Sequence, residues 1–113
     1  MDEQIKTWLF DVTQSIGEIE SYFTDPTAKQ FAAYTKDTRT KRAVERNIEI
    51  IGEAVNRILQ HDPEFKLTNA QKIIGTRNRI IHGYDSVSDE TIWSIVINHL
   101  PKLKEEINEL LKA

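Results

Sequence analysis

An all-helical bundle is what this sequence predicts, on three observations. Apolar residues recur at three- and four-residue steps through almost the whole chain. No segment sustains the apolar/polar alternation of a half-buried strand, and none repeats internally. The breaks between periodic stretches carry helix-end chemistry, with short oxygen-bearing side chains before the runs and proline or glycine after them. At 113 residues the chain has enough apolar surface for one core and too little for two independent ones, so residues 1–113 are read as one domain.

The first helix places Ile5, Trp8, Leu9, Val12, Ile16, Ile19 and Phe23 on its inner side. Asp2 is its candidate cap, and it stops before Thr24-Asp25-Pro26. A short second helix is expected from Thr27 to Tyr34, anchored by Phe31 and Tyr34. Asp37 or Thr38 then caps a long third helix whose stripe is Val44, Ile48, Ile51, Val55, Ile58 and Leu59, and Asp62-Pro63 ends it. The fourth opens at Thr68 or Asn69, buries Ile73, Ile74, Ile80 and Ile81, and closes at Gly83, a residue suited to the left-handed conformation at a helix end. The last begins near Ser88 with Asp89 and Glu90 in its first turn. It carries Ile92, Ile95, Val96, Leu100, Leu103, Ile107 and Leu110. Pro101 removes a hydrogen bond from this helix, yet the stripe continues beyond it, so a kink is expected and not a new element.

Composition excludes several classes of function. With 39% hydrophobic and 29% charged residues the chain reads as a soluble globular protein, and no apolar run approaches a membrane span. The start, Met1-Asp2-Glu3-Gln4, lacks the basic and apolar regions of a signal peptide, and there is no cysteine; a cytoplasmic location is expected. A net charge of -3 argues against coating nucleic acid through an overall field, so any such contact must be local. Lys36, Arg39, Lys41, Arg42 and Arg46 form one basic segment, and Lys72, Arg77 and Arg79 a second that could join it in one patch. No histidine pair has metal-ligand spacing and the 4 glycines are scattered, so neither a metal site nor a phosphate-cradling loop, and hence no cofactor, is expected.

The run with the most chemical content is Arg77-Asn78-Arg79-Ile80-Ile81-His82-Gly83-Tyr84, which reads R-N-x-x-x-H-x-Y at the end of the fourth helix. Its residue types can hold a phosphodiester, move a proton near neutral pH and orient a reacting group. Residues five apart on a straight helix point about 140° from each other, so Arg77 and His82 would not share a face. Either the helix loosens at His82-Gly83, or Arg77 of one subunit meets His82 of another about a two-fold axis. His61 and His99 have no partner spacing and are read as structural, and Trp8 and Trp93 as core or interface residues.

Two blocks in this order and separation, Arg46-Asn47-Ile48-Glu49-Ile50-Ile51-Gly52-Glu53-Ala54 and Gly75-Thr76 followed by Arg77 to Tyr84, resemble the HepT-type HEPN family. The tail from Ile92-Trp93 to Leu100-Pro101-Lys102-Leu103 is similar as well. The resemblance implies a HEPN-type bundle of about four to five helices that pairs into homodimers with the motif at the subunit interface. It further implies a ribonuclease acting as the toxin of a type VII-like toxin-antitoxin pair, with a minimal nucleotidyltransferase of the MntA type as antitoxin. In that family the motif tyrosine, by match Tyr84, is the residue modified with AMP.

The chemistry also follows from the residues. RNA cleavage without a metal needs a base for the 2′-hydroxyl, an acid for the leaving 5′-oxygen and cationic donors for the phosphorus oxygens. His82 is assigned base or acid, and Arg77 pairs the phosphate through its planar fork of donors. Asn78 could orient the phosphate or His82, and the Tyr84 hydroxyl could donate to a phosphate oxygen. Arg46 and Glu53, seven apart on the preceding helix, share a face and are placed near the same cleft. The competing reading is a non-catalytic helical module that binds a nucleotidyltransferase.

Overall fold

The computed structural model describes residues 1–83 and 87–112, and among these every regular element is helical. Helix α1 (Glu3–Ser21) starts where Asp2 accepts from the backbone amides of Gln4 at 2.7 Å and Ile5 at 3.2 Å. A hydrogen bond from His61, 3.1 Å away, and these two amides hold the Asp2 carboxyl below its ordinary pKa. Ile5, Leu9, Val12, Ile16 and Ile19 form its buried stripe.

Helix α2 (Phe31–Lys36) begins four residues later than the periodicity predicts. Asp25 explains the delay: its carboxylate accepts from the Thr27 amide at 2.9 Å and its carbonyl from the amides of Ala28 and Lys29. These bonds commit residues 25–29 to a turn, and Gln30 follows in extended backbone. The expected anchors hold, with Tyr34 buried and Phe31 half-buried.

Helix α3 (Thr38–His61) is the longest element. Asp37 caps it by accepting from the Thr40 amide at 3.1 Å and the Thr40 hydroxyl at 2.6 Å. Val44, Ile48, Ile51, Val55 and Ile58 are all buried, while Leu59 is only partly so. The helix runs between α1 and α4 (Ala70–His82) and packs along both.

The start of α4 is built differently from a standard cap. Asn69 adopts left-handed backbone (φ 64°), and its side chain accepts no cap bond from the first-turn amides. The preceding Thr68 is held instead by the Glu106 carboxylate, which accepts from its amide at 2.9 Å and its hydroxyl at 2.9 Å. Ala70, Ile73 and Thr76 are buried, Ile74 and Ile80 are half-buried, and Ile81 is exposed, contrary to expectation. The buried face of α4 follows steps of three and four from Ala70 to Ile80, and Ile81 points about 100° away from Ile80.

Helix α5 (Asp89–Ser94), a π-helical segment (Ile95–His99) and α6 (Leu100–Lys112) run on as one continuous rod. Ser88 caps the rod by accepting from the Thr91 amide at 3.1 Å. The Leu100 amide donates to the carbonyl of Ile95, five residues back. Pro101 accounts for this widening: its ring crowds the carbonyl four residues earlier and supplies no N–H, and a wider turn accommodates both defects. The stripe predicted to continue past Pro101 does so, with Ile92, Ile95, Val96, Leu100, Leu103 and Ile107 buried.

The rod is tied to the remainder of the fold at several points. Lys41 on α3 pairs with Asp89 at 3.1 Å, and Lys104 on α6 pairs with Glu20 on α1 at 3.0 Å. Trp93 packs against Phe23, Phe31 and Tyr34, with ring centroids 5.1 to 6.1 Å away, as expected of a core residue. Burial, with the Glu45 and Asp89 carboxylates nearby, pushes the Tyr34 hydroxyl pKa up. Among the described residues, no helix is long and apolar enough to cross a membrane.

His99, at the end of the π segment, has its Nδ1 buried without a hydrogen-bond partner in the described structure. Desolvation, then the positive charges of Lys72 on α4 and Lys102 on α6, hold its pKa below the ordinary 6.5. A histidine whose folded pKa is depressed gives full stability above pH 6.5, which is lost as pH falls toward the folded value, because the unfolded chain then binds more protons. Urea unfolding at pH 5.5 and 7.5 is expected to show a smaller acid-induced loss of stability in His99→Gln than in the wild type.

Candidate active site

The site begins at Gly52, inside α3. A Cβ at this position would lie 2.4 Å from Cβ and 2.8 Å from Cγ of Arg77, and 3.4 Å from the Ile73 carbonyl oxygen. Only a residue without a side chain lets the α4 backbone and the Arg77 stem approach α3 so closely. The guanidinium then emerges beside Glu53, the next residue of α3, and Nη2 donates to Glu53 Oε2. Nη1 donates to Asn78 Oδ1 at 2.9 Å, and Nε is buried without a partner among the described residues.

Glu53 serves two cations. Its second oxygen, Oε1, accepts from Nε of Arg57 at 2.9 Å, one turn further along α3. The Arg77 side chain is 22% exposed and that of Glu53 35%, so their pairing is partly shielded and still reachable from solvent. It opens into a cleft of about 500 Å³ between α1, α3 and α4. Arg46, Ile50 and Arg57 form its α3 side; Trp8 from α1 and Ile81 from α4 supply apolar surface. Asp11 and Glu49 add carboxylates, so the cleft is mixed in charge.

Arg77, Asn78 and Glu53 therefore meet, and Arg46 shares their cleft without an ion pair among the described residues. His82 does not join them within one chain. Helix α4 stays α-helical through His82 and ends at Gly83, whose left-handed backbone (φ 64°) donates to the Ile80 carbonyl at 3.3 Å. A loosening that would swing the imidazole back is not seen; the side chains of Arg77 and His82 leave the helix about 140° apart. His82 is exposed at the helix end and is not among the residues lining the cleft. Tyr84 lies outside the described residues.

The single basic patch suggested by the charge pattern does not form in full. Lys41 is paired with Asp89 and Arg42 with Glu45 at 3.1 Å, while the guanidiniums of Arg46, Arg57 and Arg77 converge on the cleft. Two contributors were not read from the sequence, Gly52 as a packing position and Arg57 as a site residue. Gly52 had a signal, since glycine inside a long helix is unfavourable unless a close approach needs it. Arg57 had one as well, four residues after Glu53 and hence on the same face. His61 is structural, as expected: its Nε2 lies 3.1 Å from Asp2 and its ring meets Trp8 edge-on at 5.6 Å.

Such an arrangement can grip an anion. A guanidinium fixed from behind by a carboxylate and an amide loses little freedom when its outward N–H groups take up a phosphate. Among the described residues, no group of three or more His, Asp or Glu side chains is placed to hold a metal ion.

Comparison with known proteins places the chain in a family. Residues 12–110 match the family model described as HepT-like, ribonuclease HepT-like. A Methanocaldococcus jannaschii protein named "Putative RNase" is 31% identical over 97% of this chain and 89% of its own length. A second protein of that organism, named in the same way, is 30% identical over 91% of this chain and 93% of its own. The Thermococcus cleftensis protein named "Probable ribonuclease HepT" is 29% identical over 99% of this chain and 100% of its own. No solved structure matches.

Gly52→Ala is expected to cost about 1–3 kcal/mol, the usual range for a methyl forced into a closed contact. Gly17→Ala on α1, where an added Cβ meets nothing within 4 Å, is expected to gain stability. Paired urea titrations of the two variants check both signs.

Proposed function

The chain belongs to the HepT-like ribonuclease family, and on that premise we propose that it is a metal-independent endoribonuclease, the toxin of a toxin-antitoxin pair acting in the cytoplasm. The observation that carries this reading is the Arg77 guanidinium, held by Glu53 and Asn78 against Gly52 yet facing an open cleft.

In the reaction, a base takes the proton of a 2′-hydroxyl, and that oxygen attacks the adjacent phosphorus. The bond to the 5′-oxygen breaks, an acid returns a proton to it, and a 2′,3′-cyclic phosphate remains. Arg77 pairs with the non-bridging oxygens as their charge grows, and Asn78 keeps the guanidinium plane oriented. His82 supplies the proton transfers, because an imidazole has one ring nitrogen to accept a proton and one to donate. A homodimer resolves the separation of Arg77 and His82: about a two-fold axis, His82 of the partner subunit meets Arg77, and two His82 copies at one cleft serve as base and acid.

Tyr84 follows His82 by two residues in the motif. Transfer of AMP to its hydroxyl by a nucleotidyltransferase antitoxin of the MntA type places a bulky anion where the substrate phosphate must sit. Charge and bulk both exclude RNA.

Incubation with total RNA in EDTA, beside His82→Ala and Arg77→Ala, tests the reading. Wild type is expected to leave 2′,3′-cyclic phosphate ends, with each variant about 10²–10⁴-fold slower. A wild type shown by intact mass to be free of modification at Tyr84, and cutting nothing, would favour the non-catalytic binding module instead. Co-expression with the nucleotidyltransferase is expected to add AMP to the wild type and leave Tyr84→Phe unmodified and toxic; equal labelling of both chains would move the modification elsewhere.

A further inference from the structure

Three arginines line the cleft, and only Arg77 is needed to grip the phosphate at which the strand is cut. Arg46, Ile50, Glu53 and Arg57 are spaced four, three and four residues apart, so they form one ridge on α3. Arg77 joins that ridge at Glu53 through their ion pair. From there Arg57 lies one turn away, roughly 6 Å along the axis, and Arg46 lies seven residues the other way, roughly 10 Å. The first spacing is close to one internucleotide step of an extended strand, and the second is bridged by the length of the arginine side chain.

We propose that Arg46 and Arg57 hold the phosphates on either side of the one gripped by Arg77, so that the cleft takes a single strand of RNA through at least three consecutive phosphates. The assignment rests on the ribonuclease reading above and adds its substrate class and register. Arg57 is suited to this role because its Nε is held by Glu53 Oε1 while its side chain remains 56% exposed. Glu53 thus fixes two neighbouring guanidiniums with its two oxygens. Arg46 is exposed on the opposite side and carries no ion pair among the described residues.

Glu49 and Glu53 stand among the cations, and apolar side chains fill the rest of the lining. Ile50 and Ala54 floor the cleft, and Trp8 and Ile81 face it, which suits the sugar and base of a strand whose phosphates follow the arginines. Charge favours one strand over two. Asp11 and Glu49 repel a second phosphate backbone.

The test is binding of a 2′-O-methyl RNA oligonucleotide, which lacks the attacking hydroxyl, to the full chain across a range of salt concentrations. Arg46→Ala and Arg57→Ala should each weaken binding about tenfold. Each should also reduce the slope of log affinity against log salt by about 0.7, the release expected from one phosphate of a single strand. The pair together should lose both increments, Arg57→Lys should restore the slope, and a duplex of the same sequence should compete poorly. Lys104→Ala, paired with Glu20 away from the cleft, should leave the slope unchanged. If wild type cuts RNA but both arginine variants keep the wild-type slope, or if the duplex competes equally, this assignment fails and the ribonuclease reading stands. If wild type neither binds nor cuts RNA, both fall.

Discussion

Gly52 sets how near α4 comes to α3, and the cleft around Arg77 is arranged by that distance. Because no side chain stands there, the Arg77 stem lies directly on the α3 backbone and its guanidinium surfaces beside Glu53 and not in bulk solvent. The same approach forms the wall of the cleft and brings Ile81 to its rim. A larger residue would move the helices apart by several tenths of an ångström at least. That is enough to separate a charge-assisted pair whose strength depends on close, aligned contact. Packing in the core and chemistry at the surface are thus coupled through one backbone position.

Electrostatics in the site are local, in keeping with a net charge of -3. Carboxylates and guanidiniums alternate around the cleft, so an approaching anion meets fixed donors without a broad attractive field. Glu53 organises this by holding cations from two helices on its two oxygens. The remaining basic residues of early α3 are occupied elsewhere: Lys41 links α3 to α5, and Arg42 is paired within its own helix. The chain belongs to the HepT-like ribonuclease family, and the cleft gives Arg77 a physical setting.

The last rod shows how a helix absorbs a proline. Pro101 could have broken it, yet Ile95–His99 widens to a π turn and the buried stripe carries on into α6. Continuity matters because Glu106, beyond the proline, reaches back to hold Thr68 at the start of α4. Helix α4 lacks a side-chain cap of its own, and a residue 38 positions away anchors the backbone that leads into it.

Helical periodicity was legible because 3.6-residue repetition is a local property: the stripes of α1, α3 and the final rod follow from spacing alone, as do the caps at Asp2 and Ser88, while the structure chose Asp37 over Thr38. The motif around Arg77 was legible as residue types in order, and through them the family. Other features were not. The delayed start of α2 depends on a turn at Asp25 that competes with the helix, and the exposure of Ile81 on which face of α4 meets α3. The roles of Gly52 and Arg57 required knowing what lies opposite them. Sequence by itself determined the elements and the inventory of reactive groups, since both are written in neighbouring residues. Tertiary structure alone decided which groups meet, because the Glu53–Arg77 contact joins residues 24 apart and exists only once two helices have packed at Gly52.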